Sequence, residues 1–398
     1  MAKLEFEDLS FEQNKDSIRV IFLNLFYFDV KNSDLNKIAD FIVEKNSIDF
    51  KKIDEKRAGR KFNLILEKGF SNLKNKLTSK KAVYIHKNSG IPLIGNGAFG
   101  LVDRNTNIIE VKPITSCNLG CIYCSVDQNK RIVDFVIEKG YLIEEFKKLV
   151  EFKQVSNIEA HIASQGEPLL YAPIVDLVKD IAEIKQVKTI SIDTNGVLLT
   201  KEFIDKLVEA GLTRFNLSIN ALEPALAKKI ADSRFYDIKK IKEIAEYISK
   251  KCSLIIAPVL MRGVNDEEMP KIIEFAKSIN ADMGIQNFLP YKFGLNPVKP
   301  MPFENFYKKL EEWQDKYKVK LIKSVDDFNI KETKQLPKPF RKDEIVEAEI
   351  VCPGRLPGEK IAVAKQRSIS IPNCIKEKGK VRIKITRAKH NIFIGAVQ

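Results

Sequence analysis

At 398 residues, 44% of them hydrophobic, the chain exceeds one average domain and can bury a full-sized core, so one large domain with smaller flanking pieces is expected. No apolar run approaches the roughly 18 residues of a membrane span, and the first residues lack the basic-then-apolar order of a signal peptide, which excludes a spanning or secreted chain and predicts a cytoplasmic one. The net charge of +14 favours an anionic partner but suits a lysine-rich solvated surface equally, so charge alone decides nothing.

Residues 1–95 mix helical spacing, as in Leu35, Ile38, Ala39, Phe41 and Ile42, with short apolar runs such as Ile18 to Phe28, and read as an α+β N-terminal domain. Gly90, Gly95, Asn96, Gly97 and Gly100 then punctuate the chain as a set of turns, with a phosphate loop as the alternative. Over residues 96–295, strand-like runs alternate with amphipathic helical ones: Ile108 to Ile114, Ile158 to Ala163, Thr189 to Asp193, Arg214 to Asn220, Ser253 to Leu260 and Met283 to Leu289. Repeated strand-helix units specify a parallel sheet, and six strands fit an open, partial TIM-type (βα)6 barrel of the α/β class whose site lies at the C-terminal strand ends. Pro297, Pro300 and Pro302 end the pattern. Residues 296–343 read as a helical and linker extension, and residues 344–398 as a small all-β barrel.

Six cysteines in a long, unsecreted chain, three of them within eight residues, speak for metal rather than disulfides. The run Cys117-Asn118-Leu119-Gly120-Cys121-Ile122-Tyr123-Cys124 follows a strand directly. Three thiolates this close can wrap one corner of a cubane cluster and leave its fourth iron without a protein ligand. A structural zinc site would need a fourth ligand, and no further cysteine or histidine lies nearby.

On this spacing, with an aromatic residue just before the last cysteine, the chain resembles the radical S-adenosylmethionine (SAM) superfamily across residues 108–290, and in particular its uncharacterised archaeal-type Fe–S oxidoreductases. The second strand ends in Gln165-Gly166-Glu167-Pro168, similar to that family's glycine-glutamate-proline element, with Gln165 where a second glycine is common. The resemblance implies a 4Fe–4S cluster on Cys117, Cys121 and Cys124, and SAM bound by Tyr123, Gly166, Glu167, Asp193, Thr194, Asn195, Ser218, Asn220, Val259 and Leu260. It also implies reductive cleavage of SAM to a 5′-deoxyadenosyl radical, and an electron donor such as ferredoxin or flavodoxin.

Strand alternation supplies an independent argument, because successive side chains point to opposite faces. Ile158, Ala160 and Ile162 oppose Glu159 and His161; Ile190 and Ile192 oppose Ser191 and Asp193; Phe215, Leu217 and Ile219 oppose Asn216, Ser218 and Asn220. The lumen is therefore expected to be polar and to hold ligand. Glu159, His161, Arg262 and Gln286 are the substrate candidates; for His161 simple pairing with a neighbour is the alternative. His86 and His390 are read as surface or structural, as are Cys252, Cys352 and Cys374.

Residues 345–398 resemble a TRAM domain, the small β-barrel of RNA-modifying enzymes, through Val346 to Ile350, Ile371-Pro372 and Gly379 to Thr386. Residues 341–398 carry 13 Lys or Arg against 6 Asp or Glu, a net +7 that is half of the chain's charge and suits phosphate contacts. The implied partner is RNA, tRNA foremost. A peptide, protein or small-metabolite substrate is the first alternative, and a non-catalytic RNA-binding protein with a metal site the second.

Overall fold

The computed structural model describes residues 2–398. Its central sheet is built from β1 (Gly100–Asp103), β2 (Ile108–Lys112), β3 (Ile158–Ile162), β4 (Val187–Thr194), β5 (Arg214–Leu217), β6 (Ser253–Ile256) and β7 (Asp282–Met283), in the order β7-β6-β5-β4-β3-β2-β1. Strands β2 to β7 run parallel in sequence order, and β1 is an antiparallel edge strand. The six expected parallel strands are present; the seventh lay hidden in the glycine-punctuated segment.

Helices return the chain between strands: α1 (Lys139–Lys153), α2 (Ile174–Ala182), α3 (Lys201–Glu209), α4 (Pro224–Ala231), α5 (Ile238–Ile248) and α6 (Glu268–Ser278). In α2, Ile174, Leu177, Val178 and Ile181 recur at helical spacing and are all buried. The Thr200 hydroxyl accepts from Phe203 N at 3.2 Å and starts α3, while the Asp237 carboxylate starts α5 in the same way. Ile158, Ala160 and Ile162 are fully buried beneath these helices, which turns the polar set of each strand to the other face.

The N-terminal sheet joins the strands Leu9–Gln13, Ser17–Phe22, Phe26–Lys31, Lys74–Asn75 and Lys81–Ile85, and is completed by Val133–Ile137, which follows the cysteine loop and pairs parallel with Lys81–Ile85. The loop is thus anchored at one end in the central sheet and at the other in the N-terminal one.

The segment after β7 does more than link. Helix α7 (Phe303–Tyr317) packs beside α6, Lys323 pairs with Asp282 at 2.8 Å, and Asn107 N donates to Lys331 O at 2.9 Å. Buried Lys153 reaches both Asp103 Oδ1 at 2.7 Å and Thr333 Oγ1 at 2.8 Å. Residues 326–333 therefore run across the N-terminal end of the sheet and close its floor.

The C-terminal strands β8 (Ile345–Pro353), β9 (Lys360–Ala364), β10 (Arg367–Ile371), β11 (Gly379–Arg387) and β12 (Ile394–Val397) form a closed barrel in the order β8-β9-β10-β12-β11. The glycine-rich loop is its dock rather than a phosphate site. Ile94 O accepts from Ser368 N at 3.0 Å, and Gly95 O from Phe393 N at 2.9 Å. Gly95 has a φ of +130°, and a Cβ there would fall on the Ser368 backbone, so glycine is required.

Candidate active site at the cysteine loop

The loop that carries Cys117, Cys121 and Cys124 is braced from several elements. Gly120 N and Ile122 N donate to the last carbonyls of α4, Ala231 O at 3.2 Å and Ile230 O at 3.0 Å. Asn195 Nδ2 donates to Asn118 Oδ1 at 2.8 Å, and Ser116 Oγ meets both Asn75 Nδ2 and Asp134 Oδ2 at 3.0 Å. Burial pushes the Cys121 thiol up to about 12 and that of Cys117 higher still, so ligation must supply the charge that favours their thiolates.

The Gly166 turn packs directly on this loop. A Cβ at Gly166 would strike the carbonyl oxygens of Ser116 and Thr115, and Glu167 N donates to Ser116 O at 2.8 Å. The buried Glu167 carboxylate accepts from Leu169 N at 3.1 Å, Thr194 Oγ1 at 2.8 Å and Asn195 N at 2.9 Å; burial lifts its pKa to about 7 against those donors. It ties the end of β3 to the end of β4.

Cys121, Tyr123, Asn195, Ser218, Asn220 and Tyr236 surround a narrow crevice. The Tyr123 hydroxyl accepts from Asn220 Nδ2 at 3.0 Å and stands beside the Cys121 thiol, while Asn220 Oδ1 accepts from Val259 N at 2.8 Å. Asn265, which the sequence reading missed, holds this corner together through Nδ2 to Asn220 O at 2.9 Å and Val259 O at 3.0 Å.

Below the crevice lies a cavity of about 590 Å³. Glu159, His161, Asp193, Asn216 and Ser218 line it, as strand alternation implies, together with Gln286 and with Tyr307 and Phe328 from the segment read as an extension and linker. Ser191 Oγ donates to Glu159 Oε1 at 2.7 Å, so at 2.8 Å it must accept from His161 Nδ1. His161 Nε2 then faces Asp193 Oδ2 at 3.3 Å and can bond it only as an imidazolium. Burial opposes that charge, but Asp193, with Glu159 and Glu110, outweighs it and raises the histidine. Arg214 pairs with Glu159, and Asn216 Nδ2 donates to Asp193 Oδ1 at 2.8 Å. Asn216 Oδ1 is buried with no partner, which leaves an acceptor on the cavity wall.

Two expected site residues stand elsewhere. Leu260 is buried in the core, because alternation along its short strand gives the cavity face to Val259. Arg262 lines a separate surface hollow with Glu223 and Lys271, since the chain turns outward at Met261 towards α6.

Residues 111–276 match the model of the radical SAM superfamily. The chain carries a radical SAM domain. It is 43% identical over 366 residues to an uncharacterised protein of Methanocaldococcus jannaschii, covering 83% of this chain and 84% of that one. A probable GTP 3′,8-cyclase of the same organism is 30% identical over 204 residues, which is 49% of this chain; the chain spans 66% of the cyclase. The solved structure of Streptococcus suis SuiB bound to precursor peptide SuiA aligns with a TM-score of 0.44 at 14% identity, over 80% of this chain and 71% of that one.

Radical SAM proteins use a 4Fe–4S cluster and SAM, and the residues present fit both. Among the described residues no three His, Cys, Asp or Glu side chains are set to hold a single metal ion. A cubane asks for something else, one thiolate to each of three irons, which three cysteines on one braced loop can provide. The crevice and the polar upper cavity adjoin that loop and offer donors and acceptors for a nucleoside bearing an amino-acid tail. No helix among the described residues is long and apolar enough to cross a membrane.

Proposed function

We propose that this radical SAM enzyme modifies RNA, tRNA foremost, by hydrogen abstraction in the cavity beneath its cysteine loop. When bound, the cluster and SAM supply a 5′-deoxyadenosyl radical by one-electron reduction from a ferredoxin- or flavodoxin-type donor in the cytoplasm. Cys117, Cys121 and Cys124 hold the cluster. Tyr123, Ser218, Asn220 and the backbone of residues 165–167 orient SAM, with Glu167, Thr194 and Asn195 bracing that corner. The closed floor limits entry to the mouth and keeps water from the reacting atoms. His161, Asp193 and Asn216 fix the part of the substrate that enters.

The observation that carries the RNA reading is the TRAM-like closed barrel with its net charge of +7. The rim of the mouth supports it. Between Asp282 and Glu304 there is no acidic residue, while Tyr291, Phe293 and Leu295 are exposed beside Lys292 and Lys299. Exposed aromatics interleaved with lysine suit bases drawn out of a strand.

Likeness to a probable GTP 3′,8-cyclase favours a second reading, a free purine nucleotide as substrate. The experiment that decides is 5′-deoxyadenosine formation by anaerobically reconstituted protein with reductant, alone, with total tRNA, and with GTP. Stimulation by tRNA together with a mass shift in one nucleoside supports RNA. Stimulation by GTP alone supports the second reading, and the same rate in all three refutes both.

A further inference from the structure

The terminal barrel also reaches the cysteine loop. The turn from β8 to β9 contains Arg355, whose carbonyl accepts from Ile132 N at 2.7 Å, eight residues beyond Cys124. Arg355 is 7% exposed, and its Nη1 is buried without a hydrogen-bond partner. Its surroundings hold a like charge, Arg131, along with Asp134, Glu359 and the Cys124 thiol.

Neither carboxylate is spent on Arg355, whose guanidinium forms no ion pair among the described residues. Asp134 is already taken up by Arg131, 3.1 Å away, by Asn75 Nδ2 at 2.6 Å and by Ser116 Oγ at 3.0 Å. The Glu359 carboxylate accepts from Leu356 N at 3.1 Å within its own turn. Burial, with Arg131 beside it, drives the Arg355 guanidinium down to about 10, against the pull of Glu359, Cys124 and Asp134. A buried cation left unpaired costs several kcal/mol, so a fold gains nothing from it unless a counter-charge arrives. Three thiolates and the cluster they hold bring that counter-charge.

We propose that Arg355 is a positioning residue for the cluster: the terminal barrel fixes a positive charge where it meets the segment after the cysteine loop, a charge that is neutralised when the cluster loads and that raises the cluster's reduction potential. A fixed cation near an iron–sulfur centre favours its more negative, reduced form. The arrangement makes the barrel part of the redox site. It rests on cluster ligation by Cys117, Cys121 and Cys124 and is independent of the RNA reading.

The test uses the full chain with Arg355→Met, which keeps most of the buried volume and removes the charge, and with Arg355→Lys, which keeps the charge. Three quantities are read: melting temperature of the iron-free protein, iron and sulfide content after reconstitution, and midpoint potential by EPR-monitored titration. The methionine variant is expected to melt, iron-free, at or above the parent temperature and to have a more negative midpoint potential, with the lysine variant returning towards the parent. Full iron content at an unchanged midpoint in the methionine variant overturns the proposal. Should that variant hold no cluster, the lysine variant decides: restored iron content supports the charge, and continued loss assigns Arg355 to packing. Failure of the parent protein to load iron would instead refute the cluster assignment itself.

Discussion

The side-chain amide of Asn195 donates to the side-chain oxygen of Asn118 at 2.8 Å, joining the end of β4 to the residue beside Cys117. Asn195 Oδ1 meanwhile accepts from Val197 N at 3.0 Å, so the side chain is held at both ends. Asn195→Ala should therefore lower stability by only about 1 kcal/mol, the scale of a lost hydrogen bond, yet shorten the lifetime of the assembled cluster. Iron release under a chelator, followed by the loss of visible absorbance, checks this; release at the parent rate contradicts it.

Gly166 is expected to tolerate no side chain. A methyl group there meets two carbonyl oxygens of the cysteine loop, and both belong to backbone that cannot rotate away. Gly166→Ala should cost about 1–3 kcal/mol through overpacking and impair SAM binding. Denaturant melts and calorimetric titration of the reconstituted protein with SAM measure the two effects separately.

The His161–Asp193 pair makes a pH prediction. The histidine pKa is raised in the folded chain, so the stabilisation it contributes is complete below about 6.5, its ordinary value, and is lost as pH rises through the folded value. In Asp193→Asn the largest raising influence is gone, and the imidazole should titrate at lower pH. Proton NMR of the His161 ring in the two proteins shows the shift; identical titration curves would remove the ion pair from the account.

Under the RNA reading, the rim and the barrel should fail differently. Tyr291→Ala with Phe293→Ala should weaken tRNA binding by about 1–3 kcal/mol per lost stack without altering its salt dependence. Lys376→Ala with Lys378→Ala, on the exposed surface of the barrel, should reduce the slope of affinity against salt. Anisotropy measurements at several salt concentrations distinguish the two; tRNA affinity equal to the parent's in all variants would refute both contact sites.

The sequence by itself determined the cysteine triplet, the six parallel strands, the small terminal barrel and the polar set facing the cavity. Each of these is written in local spacing: three thiols in eight residues, or an alternation of two along a strand such as Ile158 to Ile162. Glu159, His161 and Asp193 were legible for that reason, whereas Leu260, expected from the family resemblance alone, lies in the core. What only the tertiary structure decided depends on residues far apart in the chain. Asn118 meets Asn195, Asn75 meets Ser116, Ile94 carries β10, and Lys331 closes the floor beneath Asn107. Arg355 carried no signal in the sequence at all, because one arginine among the 11 basic residues of a terminal barrel looks like surface. Its distinction is burial where the barrel meets the segment after the cysteine loop, and burial across a domain boundary is set by packing that no local pattern encodes.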